Sequence, residues 1–384
     1  MLWQHYVFRR GADVPALWDV MFEGRSIRLL YIAGRGFDTR AQAVMNAFVG
    51  NVRLSGHSID RANLLLVGLA GYRLSNELKE QTEKNATALE EAFRPLGNAE
   101  GVSIGPSMAG EDDISASTAL RLGVDAVLQH VTDQTDIILD ISSLPRVAYF
   151  AIMTGILQRL IQNKKAPNPL AANGVNFQVL VGEDAALDGK IRSEDPDNDL
   201  VVIPGFSSAL HAESVQDWPL VWFPVLGENR MNQLQKVMES IPSNAEICPV
   251  LPQPSSDLRR ADRLLVEYKG PLFDVRQTPI SNVLYAHERH PFEAYRQILG
   301  AMNRYRESMG ILGGCRVVVT PLGSKLITLG AGLACFEVRP TEVSENFGIA
   351  VPYAQPTRYD VTTEALSSSK SEISTLVLTG EAYS

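Results

Sequence analysis

Two short turns in this sequence combine hydroxyl side chains with a basic side chain, the residue types that bind phosphate and other anions. They are SSLPR at residues 142–146 and TPLGSK at residues 320–325. Each follows an apolar run typical of a buried strand and precedes an apolar stretch typical of a helix. Such a turn carries free backbone N–H groups and the positive end of the helix dipole. We therefore predict an anion site formed by Ser142, Ser143, Arg146, Thr320, Gly323, Ser324 and Lys325.

The first of these turns also has a purely structural interpretation. Ser142 or Ser143 would cap the following helix, and Arg146 would be a solvated residue in its first turn. Pro145 fits either case, because a proline near the start of a helix loses no hydrogen bond.

A third candidate turn, GRGFDTR at residues 34–40, follows the first apolar run and has a counterpart, GEN, at residues 227–229. Glycine in a strand-to-helix turn allows a ligand to approach the backbone closely. Arg40 stands where the dinucleotide fingerprint needs its third glycine, which argues against a nicotinamide enzyme. A structural alternative is that Asp38 caps the helix and pairs with Arg40. The candidate ligand-binding residues here are Gly34, Arg35, Gly36, Asp38, Arg40, Glu228 and Asn229.

Other catalytic and metal-binding motifs are missing from the sequence. It has no P-loop and no GxSxG elbow, and its two neighbouring histidines lie in HERH rather than in the HExxH of zinc peptidases. Pro291 after HERH indicates a loop or a helix start. The three cysteines are far apart, which argues against a disulfide framework and a cysteine-rich zinc site. We predict no metal site and assign no catalytic residue.

The elements that position these turns alternate as strand and helix along the chain. This rhythm predicts a doubly wound, mostly parallel α/β sheet. Residues 183–217 are polar and broken, with one short apolar strand, VVIPGF, between them, and we place a domain boundary near 205–217. The rhythm restarts after it, which predicts two Rossmann-like domains in tandem and suggests an internal duplication. The predicted boundaries are a lead-in at 1–26, domains at 27–210 and 211–361, and a serine-rich tail at 362–384, either mobile or partner-binding.

Hydropathy and charge indicate where the protein is located and which partners it is not expected to bind. No apolar run is long enough for a membrane helix and no secretory signal is visible, so we expect a cytoplasmic protein without membrane contact. The net charge is −9, from 35 basic and 44 acidic residues, which argues against general binding to duplex nucleic acid.

The turns SSLPR and TPLGSK resemble those of the CARF and SAVED sensor domains of prokaryotic antiviral defence systems. The resemblance covers residues 28–355 loosely. It implies Rossmann-like domains that work as dimers or tandem pseudo-dimers and hold the phosphates of a cyclic oligonucleotide. On this basis we expect a nucleotide-binding or nucleotide-sensing subunit whose effector is a separate chain, with both turns facing one ligand.

Two alternatives stay open at this point. GRGFDTR resembles the first motif of leucine-carboxyl-type methyltransferases, which would make S-adenosylmethionine the cofactor. However, the second apolar run ends in Gly68 and Leu69, where an acidic residue would hold the ribose. The chain could instead be a non-catalytic scaffold that binds a protein partner, such as an ATPase, or a second copy of itself.

Overall fold

The computed structural model describes residues 1–105, 115–211, 215, 217–341 and 346–384. It divides into two compact units, one formed by Met1–Arg192 with Arg358–Ser384 and the other by Ser193–Thr357. We call them unit 1 and unit 2.

The described strands are β1 (Val7–Arg10), β2 (Ile27–Gly34), β3 (Ile59–Leu69), β4 (Asn98–Ile104), β5 (Asp136–Asp140), β6 (Asn176–Glu183), β7 (Arg192–Ser207), β8 (Leu220–Val225), β9 (Glu246–Ile247), β10 (Val250–Pro252), β11 (Leu284–Ala286), β12 (Cys315–Pro321), β13 (Phe347–Asp360) and β14 (Glu372–Thr379). The described α-helices are α1 (Asp13–Phe22), α2 (Arg40–Leu54), α3 (Asn76–Phe93), α4 (Ala116–Gln129), α5 (Arg146–Leu160), α6 (Ala185–Asp188), α7 (Ser208–His211), α8 (Met231–Met238), α9 (Arg260–Glu267), α10 (Pro291–Met309), α11 (Lys325–Val338) and α12 (Thr363–Ser367).

Unit 1 is built on a seven-stranded sheet in the order β1-β14-β6-β5-β2-β3-β4. The five strands from β6 to β4 are parallel, and β14 runs antiparallel to both β6 and β1. Within these five strands, the chain begins in the middle at β2, moves outward through β3 and β4, and then returns to the other side of β2 as β5. The strand order therefore reverses between β2 and β5, where Ala33 pairs with Asp140.

Unit 2 repeats this plan with the strand order β11-β10-β8-β12-β13-β7. The strands from β11 to β13 are parallel, and the short strand β9 pairs with β8 beside this path. The first of these parallel strands in the chain is β8, and the order reverses between β8 and β12, where Pro224 pairs with Thr320. The predicted fold class is confirmed: both units are doubly wound, mostly parallel α/β domains with the same central strand order.

The boundary between the units differs from the prediction. The polar stretch after β6 was expected to hold only the short strand VVIPGF, but that strand begins earlier and forms the 16-residue β7, which pairs with β13 in unit 2. A strand at the edge of a sheet tolerates polar residues, because one side of it faces solvent. Unit 1 therefore ends at Arg192, before β7, and not near residues 205–217 as predicted. Residues 212–214 and 216 lie outside the described part of the chain.

The two chain ends both belong to unit 1. The tail predicted to be mobile or partner-binding forms α12 and β14, and β14 lies inside the sheet between β1 and β6 with Leu376, Val377 and Leu378 fully buried. The prediction of a mobile tail was wrong because the serines at 367–369 precede an apolar run that completes the sheet. The lead-in is also packed, since the Trp18 ring lies 5.3 Å from that of Phe48 in α2.

Helices cover the sheet of unit 1, with α2 packing beside α1 and α3, and α5 packing beside α4. In unit 2, α10 and α11 pack against each other, and Gly330 permits the contact because a Cβ there would clash with α10 at Pro291 and Ala294. None of the described helices has both the length and the apolar character required to cross a bilayer.

Candidate functional site

The carboxyl ends of β2 and β5 form the crevice where ligands of open α/β sheets normally bind. Asp140, fully buried at the end of β5, accepts a hydrogen bond from the Tyr31 hydroxyl at 3.1 Å and one from the Ser142 N–H at 2.8 Å. Burial, together with the nearby Asp140 carboxylate, raises the pKa of Tyr31 well above its ordinary value. The floor of the crevice in unit 1 therefore carries a buried carboxylate, which disfavours an anionic ligand close to it.

Both serines of the first turn are engaged inside unit 1. The Ser142 hydroxyl accepts a hydrogen bond from the Gly182 N–H at 2.8 Å, and the Ser143 hydroxyl donates to the Gly34 carbonyl at 2.7 Å. A Cβ on Gly34 would lie 2.7 Å from the Ser143 Oγ, and one on Gly36 would lie 3.0 Å from the Ser143 carbonyl oxygen. The glycine pair thus provides the predicted close approach, but the group that approaches is Ser143 of the neighbouring loop.

Asp38 and Arg40 form a buried ion pair. The Arg40 guanidinium donates to both carboxylate oxygens of Asp38, at 2.6 to 3.0 Å, and to Asp188 of α6 at 2.7 Å. Burial alone would lower the pKa of Arg40, but the two carboxylates raise it above its ordinary value. The structural alternative in which Arg40 pairs with Asp38 is confirmed. Arg35 is exposed and pairs with Glu83 on α3.

Arg146 is the first residue of α5 and is partly buried. The helix is preceded by Pro145 in an extended conformation, and no side chain caps it by a hydrogen bond. The turn therefore places a basic residue at a helix start, as predicted, but its two serine hydroxyls are turned toward the protein.

The equivalent crevice of unit 2 lies at the carboxyl ends of β8 and β12. Thr320, fully buried on β12, accepts a hydrogen bond from the Trp222 indole N–H at 2.8 Å. A Cβ on Gly227 would clash with the Leu322 carbonyl oxygen, and one on Gly323 would lie 2.9 Å from the Val225 side chain. Here too the glycines let the two loops pack closely.

Glu228 and Asn229 are held by α9 and its end. The Glu228 carboxylate accepts two hydrogen bonds from Arg260, both at 2.6 Å, and Arg260 also pairs with the buried Glu288. Burial opposes ionisation of Glu228, but the hydrogen bonds from Arg260 lower its pKa below the ordinary value. The Asn229 N–H donates to Glu267 at 2.9 Å. Arg260 and Glu288 were not among the predicted site residues, and their only local signal is their position after a strand.

Ser324 differs from the other predicted site residues because its hydroxyl is unengaged. It occupies the N-cap position of α11 in an extended conformation, yet it makes no capping hydrogen bond. Its Oγ is buried without a hydrogen-bond partner among the described residues, and so is the Oγ1 of Thr328 one helical turn later. Lys325, the first residue of the helix, is partly buried. This turn can donate backbone and hydroxyl hydrogen bonds to an anion.

The histidine pair of HERH lies in a loop and at a helix start, as predicted. His290 is the N-cap of α10 and its Nδ1 accepts a hydrogen bond from the Glu293 N–H at 3.3 Å. Burial lowers the pKa of His290. Across the described ranges, no cluster of three or more His, Cys, Asp or Glu side chains could hold a metal ion.

No family model matches this chain, and no curated protein matches it. Among solved structures, it is similar to one described as a putative UDP-N-acetylglucosamine 2-epimerase from Listeria monocytogenes, at 10% sequence identity and a TM-score of 0.23. The match covers 77% of this chain and 74% of that one. At this TM-score the similarity supports no conclusion about function.

Proposed function

We propose that this protein is a nucleotide-binding and nucleotide-sensing subunit that holds a ligand phosphate at the start of α11 in unit 2. The fuller form of the proposal is a sensor of cyclic oligonucleotides or related nucleotides in a prokaryotic antiviral defence system, with its effector on a separate chain. The observation that carries the binding site is the Ser324 hydroxyl, buried at a helix N-cap without a partner in the described residues.

An unpaired buried hydroxyl at this position is unfavourable on its own. Leaving a buried polar group without a hydrogen bond costs roughly 1–3 kcal/mol. The N-cap serine of α3 shows the usual arrangement, since Ser75 accepts a hydrogen bond from the Leu78 N–H at 3.2 Å. If a phosphate occupied the start of α11, it could accept hydrogen bonds from the Ser324 hydroxyl and from the free N–H groups of the first turn.

Charge and position support the same turn. Lys325 places a cation at the helix start, and a charge-assisted hydrogen bond is stronger than a neutral one. The turn follows β12, at the point where the strand order of unit 2 reverses. In unit 1 the corresponding serines are engaged and Asp140 is buried beneath them, so we assign the phosphate to the turn of unit 2.

The test is ligand binding by the full-length protein and by a matched pair of N-cap variants. Cyclic oligonucleotides, mononucleotides and S-adenosylmethionine are compared by melting temperature, because a ligand at 100 times its Kd stabilises by roughly 2.7 kcal/mol. We expect Ser324→Ala to weaken nucleotide binding while leaving the stability of the free protein unchanged or raised, because an unpaired buried hydroxyl is removed. Ser75→Ala should leave binding intact and lower stability by about 1 kcal/mol, since it removes a formed cap. Equal nucleotide affinity in the wild type and Ser324→Ala would overturn the site.

A further inference from the structure

Unit 1 has a second concave region on the side opposite the carboxyl-end crevice. It is an open cavity of about 820 Å³, bounded by the last turn of α1 and by the two turns that precede β2 and β3. The residues of its wall that matter here are Asp19, Val20, Phe22, Glu23, Arg25 and His57.

Asp19 organises the polar part of this wall. Its Oδ1 accepts hydrogen bonds from the Asn51 amide at 3.1 Å and the Ser55 hydroxyl at 2.6 Å, and it lies 3.1 Å from the His57 Nε2. The hydrogen bonds from Ser55 and His57 lower the pKa of Asp19. A carboxylate beside Nε2 fixes the ring proton of the neutral imidazole on that nitrogen, which leaves Nδ1 as a hydrogen-bond acceptor.

The His57 ring is held rigidly, with only 10% of the side chain exposed. It packs edge-on against Phe22, at 5.7 Å between ring centroids. Its Nδ1 has no hydrogen-bond partner in the described part of the chain. The Asp19 Oδ2 and the exposed Glu23 carboxylate also accept no hydrogen bond from the described residues. The Oδ1 of Asn51 is buried and likewise lacks a donor there. Several side-chain acceptors of this region therefore lack a hydrogen-bond donor in the described part of the chain.

The Arg side chain in the wall of this cavity is already paired with carboxylates. Arg25 donates to both carboxylate oxygens of the buried Asp136, at 3.0 and 3.1 Å, and its Nε lies 3.2 Å from Glu381. One guanidinium thus faces two carboxylates, so Arg25 does not compensate the charges of Asp19 and Glu23.

We propose that this cavity binds a protonated amine, a small alkylammonium or diamine. An ammonium group has three N–H donors and no acceptor, which matches the unpaired acceptors of His57, Asp19 and Glu23. The apolar stem of such a ligand would lie along Val20, which is 71% exposed. This site is independent of the nucleotide site proposed for unit 2.

The test compares putrescine with 1,4-butanediol, a neutral molecule of the same length, on the full-length protein at constant ionic strength. We expect calorimetry to detect putrescine and not the diol. Glu23→Gln and His57→Phe should each weaken putrescine by about tenfold, a factor that corresponds to roughly 1.4 kcal/mol. Glu23 is exposed, so its variant should fold normally even if His57→Phe does not.

Glu80→Gln is the matched control, because it removes one carboxylate from the exposed face of α3, where Glu80 pairs with Lys84. It should leave putrescine affinity unchanged. Binding of the diol as tightly as the diamine, no binding of the diamine, or an equal effect of Glu80→Gln and Glu23→Gln would each overturn the proposal.

Discussion

Trp222 donates its indole N–H to the Thr320 hydroxyl at the same place in unit 2 where, in unit 1, Tyr31 donates to Asp140. In both units the donor lies on the parallel strand that comes first in the chain, β2 or β8. It pairs with the residue two positions before the acceptor, on β5 or β12. The two units therefore share a buried polar contact across the strands between which the order reverses. This equivalence favours the internal duplication suggested by the sequence, although the residue types differ.

The first prediction concerns the strength of this contact in unit 2. Thr320→Val should lower the free energy of unfolding by roughly 1–3 kcal/mol, because the Trp222 N–H is left buried without an acceptor. Thr328→Val is the matched control: it is also fully buried, but its hydroxyl has no partner within the described residues, so it should be neutral or stabilising. Urea unfolding measures both changes.

A double-mutant cycle with Trp222→Phe isolates the pair. The cost of Thr320→Val should shrink in the Trp222→Phe background, since no indole N–H is then left unsatisfied. Additive costs in the two backgrounds would show that the hydrogen bond contributes nothing to stability.

The second prediction separates a structural from a ligand-binding role of Arg40. Arg40→Met removes the guanidinium that pairs with the buried Asp38 carboxylate. Removing one partner of a buried ion pair lowers the free energy of unfolding by roughly 3–5 kcal/mol. Arg35→Ala removes the neighbouring exposed pair with Glu83 and should cost less than about 1 kcal/mol. Urea unfolding decides, and an Arg40→Met protein as stable as the wild type would contradict the structural assignment.

The sequence predicted the fold well because the signal for it is local. Apolar runs such as Ile137–Leu139 and the turns between them repeat at the spacing of alternating strands and helices. The strand order, however, depends on which strands pair, and the apolar run of β14 looked like part of a polar tail. Its place between β1 and β6 is a contact between the two ends of the chain, which no local pattern encodes.

The candidate site was predictable in a more limited way. The glycines that permit close approach are visible in the sequence, but the approaching group is not, because Ser143 reaches Gly34 across 109 positions of sequence. Likewise, the partners Asp188 of Arg40 and Arg260 of Glu228 come from distant segments. Residue type and spacing indicate that a polar turn exists, whereas its engagement depends on tertiary contacts.

The third prediction is a pH dependence of stability that originates at Glu228. Arg260 lowers the pKa of Glu228 in the folded protein below its ordinary value of 4.5. The folded state thus binds protons less readily than the unfolded state, so this contribution is complete above 4.5 and is lost as the pH falls through the lowered pKa. Between about pH 6 and pH 3, Glu228→Gln should lose stability less steeply than the wild type. Parallel pH profiles of the urea midpoint in the two proteins would contradict this.

The last prediction concerns the two basic residues that begin α5 and α11. Lys325→Ala should weaken nucleotide binding by about tenfold or more, because a hydrogen bond to a charged group contributes roughly 1.5–3 kcal/mol. Stability should hardly change, since a cation at a helix start opposes the dipole. Arg146→Ala should have the same effect on affinity only if both turns bind one ligand. Calorimetry on the two variants therefore distinguishes a shared site, in which both lose affinity, from a site in unit 2 alone, in which only Lys325→Ala does. If Lys325→Ala binds nucleotide as tightly as the wild type, neither form of the site stands.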